Sequence, residues 1–165
     1  MMHLHQCKIQ NQGSVAVLVS GRSTGLLSAI MLAQQLQPPS ASTDDDESRR
    51  RRPRVVVYDR LPPPPPPDNL VYSTDISKYY LLGLGHRGQR ALRHFGVWDE
   101  FEEASVAVLG RRGWAPGKTG EGESTITMAN KAVTSRVLAR DKLVGVLKRV
   151  IEERYGDVVE LRYGW

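Results

Sequence analysis

Apolar positions follow two kinds of spacing along this chain. At residues 15–19 the run VAVLV is unbroken and rich in β-branched side chains, which suits a strand buried on both faces. SGRSTG at 20–25 follows as a turn, and Leu26, Leu27, Ile30, Met31 and Leu36 then recur at helical spacing. The pattern predicts strand, glycine-containing turn, helix. RVVVYD at 54–59 predicts a second buried strand, ending on an acidic residue. From His86 the helical spacing returns, with Leu92, Phe95, Trp98 and Phe101 on one side and Gly96 as a break after the first helix. Residues 106–109 predict a strand, 111–123 a glycine-rich loop and 124–128 another short strand. The cleanest helix falls at 141–155, where Leu143, Leu147, Val150 and Ile151 share a face and Gly156 is placed to stop it. Residues 158–163 read as a final strand. Together these elements predict an α/β domain whose central parallel sheet contains 15–19, 54–59 and 158–163.

The polar stretches between them set the domain organisation. Residues 1–13 read as a flexible tail, and residues 14–165 as the domain. Within it, residues 37–53 hold three prolines, a Ser/Thr/Asp stretch and most of an arginine cluster. Such a composition cannot bury a core and predicts an exposed insertion. Residues 61–67 carry six consecutive prolines, which predicts an extended and stiff segment, expected to be exposed and mobile through residue 69.

The net charge of +5 comes largely from Arg49, Arg50, Arg51, Arg52 and Arg54. An acidic run at 44–47 precedes them, so the charge reads as a solvated linker and no nucleic acid partner is expected. The lone Cys7 cannot form an internal disulfide, which points to a reducing, intracellular compartment. His3, His5 and Cys7 alternate in the tail without a fourth ligand, so no metal site is expected there. No apolar run approaches the ~18 residues that span a bilayer, and the N-terminus lacks the pattern of a secretory signal.

The candidate chemistry begins at the first turn. A buried parallel strand, a tight turn and a helix N-terminus together suit a pyrophosphate. The dinucleotide fingerprint G-x-G-x-x-G falls on residues 20–25, and of its three glycines only Gly25 stands in place. Ser20 occupies the tight-turn position, and Arg22 the position where the pyrophosphate approaches bare backbone. Asp59 ends the next strand, where an acidic residue binds a ribose hydroxyl. It lies 34 residues after Gly25, beyond the usual ~20, and the insertion accounts for the excess. On these residues alone an ordinary βαβ turn without a ligand stays open. GWAPGKT at 113–119 has one residue too few for a P-loop, and GEGES after it is a poor helix start, so it reads as a loop between strands. His86 and His94 read as helix-surface residues. Ser20 and Ser23 have no adjacent histidine and aspartate, and no catalytic group is assigned.

Four segments taken together resemble a known family. VAVLVSGRSTGLLSAIMLA, VVVYDR, YLLGLGHRGQRALRHFGVWDEF and RVLARDKLVGVLKRVIEERYGDVVELRYG are similar, in order and spacing, to the N-terminal part of the FAD-dependent aromatic hydroxylases, especially kynurenine 3-monooxygenase-like proteins. The resemblance implies a Rossmann-like FAD/NAD(P)-binding fold. It also implies a monooxygenase that takes FAD as cofactor and NADPH as co-substrate and hydroxylates a small aromatic substrate with O2. By position it places Ser20, Gly21 and Gly25 along the pyrophosphate, Asp59 on the adenosine ribose with Arg60 beside it, and Arg140 near the flavin. Lys78 stands where relatives often carry arginine. The family's later Gly-Asp segment, which contacts the ribityl chain, and most of the sheet over the substrate have no counterpart in these residues. The expectation is a partial FAD-binding domain, truncated before the substrate domain is complete and incomplete as a catalyst. The alternatives are a non-catalytic Rossmann-like remnant that does not bind flavin, or an interaction module.

Overall fold

The computed structural model describes residues 15–19, 22–36, 54–78, 80–117, 119–126 and 133–165. The tail, the insertion and the strand-to-helix residues Ser20 and Gly21 lie outside the described residues. In chain order the elements are β1 (Val15–Val19), α1 (Ser23–Leu36), β2 (Arg54–Asp59), α2 (Val71–Thr74), a 3-10 turn (Ile76–Lys78), β3 (Leu81–Leu84), α3 (His86–His94), α4 (Trp98–Ala104), β4 (Val106–Ala107), β5 (Gly110–Gly113), β6 (Glu123–Ile126), β7 (Arg136–Ala139), α5 (Arg140–Arg154) and β8 (Val159–Tyr163). They fall into two compact units. One is Met1–Pro63 with Leu147–Trp165, and the other is Pro64–Val146.

The first unit is built on a parallel sheet of order β1-β2-β8. β2 lies in the middle, and Val55, Val56 and Val57 are all buried. Three consecutive buried residues require cover on both faces, which is what the unbroken β-branched run anticipates. α1 supplies part of that cover with Leu26, Ala29, Ile30 and Ala33, each at most 3% exposed. Their spacing makes one stripe of the helix apolar. Burying a side chain the size of Ile30 contributes roughly 1.5–3 kcal/mol. At the far end of α1 the Gln34 amide donates to the Tyr155 hydroxyl at 2.9 Å.

The second unit holds an antiparallel sheet of order β3-β7-β4 and a two-stranded ribbon, β5-β6. α3 ends as the sequence anticipates. Gly96 has φ +67°, its N–H donates to Arg93 O, and the Val97 N–H donates to Leu92 O. This 5→2 and 6→1 pair satisfies the last carbonyls of the helix, and the buried Leu92 and Val97 seal it. Gln89, 1% exposed, donates through one amide nitrogen to Leu84 O and Thr134 O. Arg136 on β7 donates to Glu102 O, Ser105 O and Ser105 Oγ, capping the end of α4 with a positive charge where the helix dipole favours one.

Several expectations need correction. Residues 110–113 form a strand and not a loop, paired Gly110↔Ile126 to Gly113↔Glu123. All four are exposed, so no apolar pattern announced them. The GWAPGKT segment joins two strands and has no helix after it, in line with its reading as a loop. The predicted strand at 106–109 is only Val106–Ala107. The polyproline segment is not uniformly exposed. Pro64 and Pro65 are half-buried and Pro67 is buried, and Pro65 O accepts the Tyr72 hydroxyl at 2.8 Å. A Cβ on Gly145 of α5 would stand 2.7 Å from that same carbonyl, so the missing side chain at 145 makes room for the prolines. Among the described residues no helix is long and apolar enough to cross a membrane.

Candidate functional site

Parallel pairing determines which residues meet at one end of the first unit. The β1–β2 register sets Val19 beside Tyr58. The end of β1 and Asp59 at the end of β2 therefore lie at the same, C-terminal edge of the sheet. In open parallel sheets this edge is where ligands bind.

α1 begins at this edge. Arg22 caps it, its carbonyl accepting the Leu26 N–H at 3.1 Å. Its φ is +42°, and among the described residues it is the one non-glycine residue with positive φ. An L-residue in this region is strained by roughly 1–2 kcal/mol. The chain thus keeps, at the second fingerprint glycine, a backbone conformation natural to glycine while carrying an arginine. Gly25, the third fingerprint position, is buried in the first turn of α1.

Asp59 is 9% exposed. Its Oδ1 accepts the Leu61 N–H at 3.0 Å, and its carbonyl accepts the Gly164 N–H at 2.9 Å. One carboxylate oxygen therefore orders the turn that leaves β2. Arg60 beside it is exposed. Across the ladder Asp59 pairs with Tyr163. The Tyr163 hydroxyl is shut off from solvent and has no hydrogen-bond partner among the described residues. Burial pushes its phenol up to about 12, helped by the Glu152 and Asp59 carboxylates and opposed by the Arg22 charge. Sequence reasoning missed Tyr163, because its place next to Asp59 follows only once β8 is known to pair with β2.

Arg140 and Lys78 belong to the second unit. Arg140 opens α5 directly after β7. Its N–H donates to Tyr80 O at 2.8 Å, and its guanidinium lies 5.2 Å from the centre of the Tyr80 ring. Its Nε is 3.5 Å from Asp141 Oδ1, and about half of its side chain is exposed. Lys78 closes the 3-10 turn two residues before Tyr80. The structure thus groups Gly25, Asp59 and Arg60 in one unit and Lys78 and Arg140 in the other, while Ser20 and Gly21 lie outside the described residues. For the ADP half of a dinucleotide, the fit is good at Gly25 and Asp59. It departs at Arg22, where the backbone conformation suits the turn and the side chain adds bulk.

No family model matches the chain, and no curated protein matches it. Solved structures do. A variant of 2-methyl-3-hydroxypyridine-5-carboxylic acid oxygenase superposes with a TM-score of 0.58 at 16% identity, covering 92% of this chain and 32% of its own. The flavin-dependent monooxygenase PieE, solved with FAD and substrate, gives 0.59 at 15% identity, covering 92% of this chain and 24% of its own. The chain thus shares its fold with part of the flavin-dependent monooxygenases and spans about a quarter to a third of the length of these structures.

Proposed function

We propose that this chain binds the ADP half of FAD and is the front portion of a flavin-dependent monooxygenase that hydroxylates an aromatic substrate with NADPH and O2. The observation that carries this reading is the convergence of the Arg22–α1 turn and Asp59 at one edge of a three-stranded parallel sheet. The fold shared with two oxygenases supports it. So does the similarity of residues 80–101 and 136–164 to kynurenine 3-monooxygenase-like sequences.

In this reading Asp59 accepts a hydrogen bond from an adenosine ribose hydroxyl. The first N–H groups of α1, with Ser20 and Gly21 before them, face the pyrophosphate. Gly25 lets the helix lie close to the strand. By the resemblance, Arg60 stands beside Asp59, Arg140 near the flavin, and Lys78 where relatives often carry arginine. When bound, the flavin supplies the redox chemistry, and the protein orients it and excludes water.

Arg22 favours a second reading, a Rossmann-like remnant that no longer binds flavin. Purified protein that is yellow, with a flavin absorbance spectrum, supports the first. Calorimetry with ADP and FAD then separates the two on three proteins: the natural chain, Ser20→Gly/Arg22→Gly, and that double variant with Asp59→Ala. The expected order puts the double variant tightest, with the natural chain and the triple variant well behind. Equal affinity of natural chain and double variant assigns Arg22 a supporting role. If none of the three folded proteins binds, the remnant reading stands.

A further inference from the structure

A cavity of about 590 Å³ opens at the end of the β5–β6 ribbon, a size within the range of small-molecule sites. Gly113 pairs with Glu123, and Arg111 stands two residues before Gly113, so all three turn to the same face of the ribbon. Trp114 and Thr119, from the loop that joins the two strands, complete the lining. Two glycines give the cavity its shape. A β-carbon on Gly113 would meet nothing within 4 Å, so bare backbone makes an open floor. A β-carbon on Gly122 would stand 2.8 Å from Cε2 and Nε1 of Trp114 and from Gly113 O. Gly122 also has φ +64°, so glycine alone suits this position. The Trp114 Nε1–H donates to Gly120 O at 2.9 Å. The loop backbone thus holds the indole along one edge, yet Trp114 is 54% exposed. An apolar ring fixed in place without being buried is a preorganised platform for a ligand.

We propose that this cavity binds a neutral polyhydroxylated ring, a hexose unit, free or at the end of a glycan chain. A pyranose has a face of C–H groups, which suits the open face of the indole. The Arg111 guanidinium offers only donors, and the Glu123 carboxylate only acceptors. Neighbouring hydroxyls of one sugar serve both, accepting from the guanidinium and donating to the carboxylate. The two charges are opposite in sign and share a face, so neither an anion nor a cation gains a net attraction. The Thr119 hydroxyl adds a group that both donates and accepts. The inference is independent of flavin binding.

The test follows calorimetry and tryptophan fluorescence of the full chain with glucose, galactose and mannose, their disaccharides, and the uronate and amino-sugar form of each. Saturable binding of at least one neutral sugar in the millimolar range is expected, with weaker binding of its charged forms. Binding of the free hexose assigns a small-molecule site, and binding of the disaccharide alone assigns a glycan end. Trp114→Ala should weaken binding about tenfold or more, the scale of losing an anchoring contact. Arg111→Gln and Glu123→Gln should each weaken it severalfold. Gly113→Val places a side chain in the open space, so the chain should stay folded while the sugar is shut out. Circular dichroism checks that each variant is folded; if Trp114→Ala is not, Gly113→Val decides. Absence of saturable binding by every sugar overturns the inference. So does binding that Trp114→Ala and Gly113→Val leave unchanged, or a preference for the uronate or the amino sugar.

Discussion

Tyr163 pairs with Asp59 across the β8–β2 ladder, and its hydroxyl, closed off from solvent, has no hydrogen-bond partner among the described residues. A buried donor left unpaired costs roughly 1–3 kcal/mol. Tyr163→Phe removes the oxygen and keeps the ring, so the variant should be more stable than the natural chain by about 1 kcal/mol in urea unfolding. Lower stability would mean that the hydroxyl has a partner after all.

The same phenol makes a prediction for alkaline solution. It titrates near 12 in the folded chain, against 10.0 when free. The folded state therefore holds this proton where the unfolded state has released it. The resulting stability is fully present below pH 10 and is lost as pH rises from 10 towards 12. Tyr163→Phe should show a shallower loss across that window. Ultraviolet difference spectra of the two proteins should show one fewer tyrosine ionising near pH 12 in the variant.

Gly145 and Pro65 make a steric prediction. A β-carbon at 145 would sit 2.7 Å from Pro65 O and 3.3 Å from the Tyr72 hydroxyl. Backbone carbonyls yield less readily than side-chain ends, so Gly145→Ala should destabilise by about 1–3 kcal/mol despite alanine's better helix propensity. Tyr72→Phe should cost about 1 kcal/mol through the lost hydrogen bond. Because both act on the same carbonyl, the double variant should cost less than the two changes added together. Full additivity in a denaturant series would count against a shared contact.

Arg140 offers a test of the proposed cofactor site. Arg140 is half exposed, so Arg140→Met should change stability by less than about 0.5 kcal/mol. If the arginine reaches the flavin, FAD affinity should fall while ADP affinity stays unchanged, because ADP lacks the flavin. An equal fall for both ligands would place Arg140 at the phosphates instead.

The elements that could be read in the sequence are those whose own side chains determine their environment. Val55, Val56 and Val57 announce a strand covered on both faces; Leu143, Leu147, Val150 and Ile151 announce a helix; Gly96 announces a helix end. The ribbon strand at 110–113 was missed because its stability comes from backbone pairing to residues 123–126, which GRRG does not advertise. The burial of Pro67 was missed because it depends on Gly145, 78 residues further along the chain. In the site, Asp59 was legible as an acid ending a strand, and Arg22 as a misplaced side chain. The positive φ that Arg22 adopts, and the company Tyr163 keeps, depend on the assembled sheet.

The order of strands also governs how this chain acquires its structure. β2 pairs with β8 across 104 residues, as in Tyr58 with Arg162, whereas the sheet β3-β7-β4 closes entirely within Pro64–Val146. A growing polypeptide therefore carries every residue of the second unit before the first can gain its third strand. Until then Val55, Val56 and Val57 belong to a central strand with one flank open, an unpaired apolar edge of the kind that aggregates. Loop closure over so long a separation is slow, and the interval before β8 docks is when this protein most needs protection from its own hydrophobic strands.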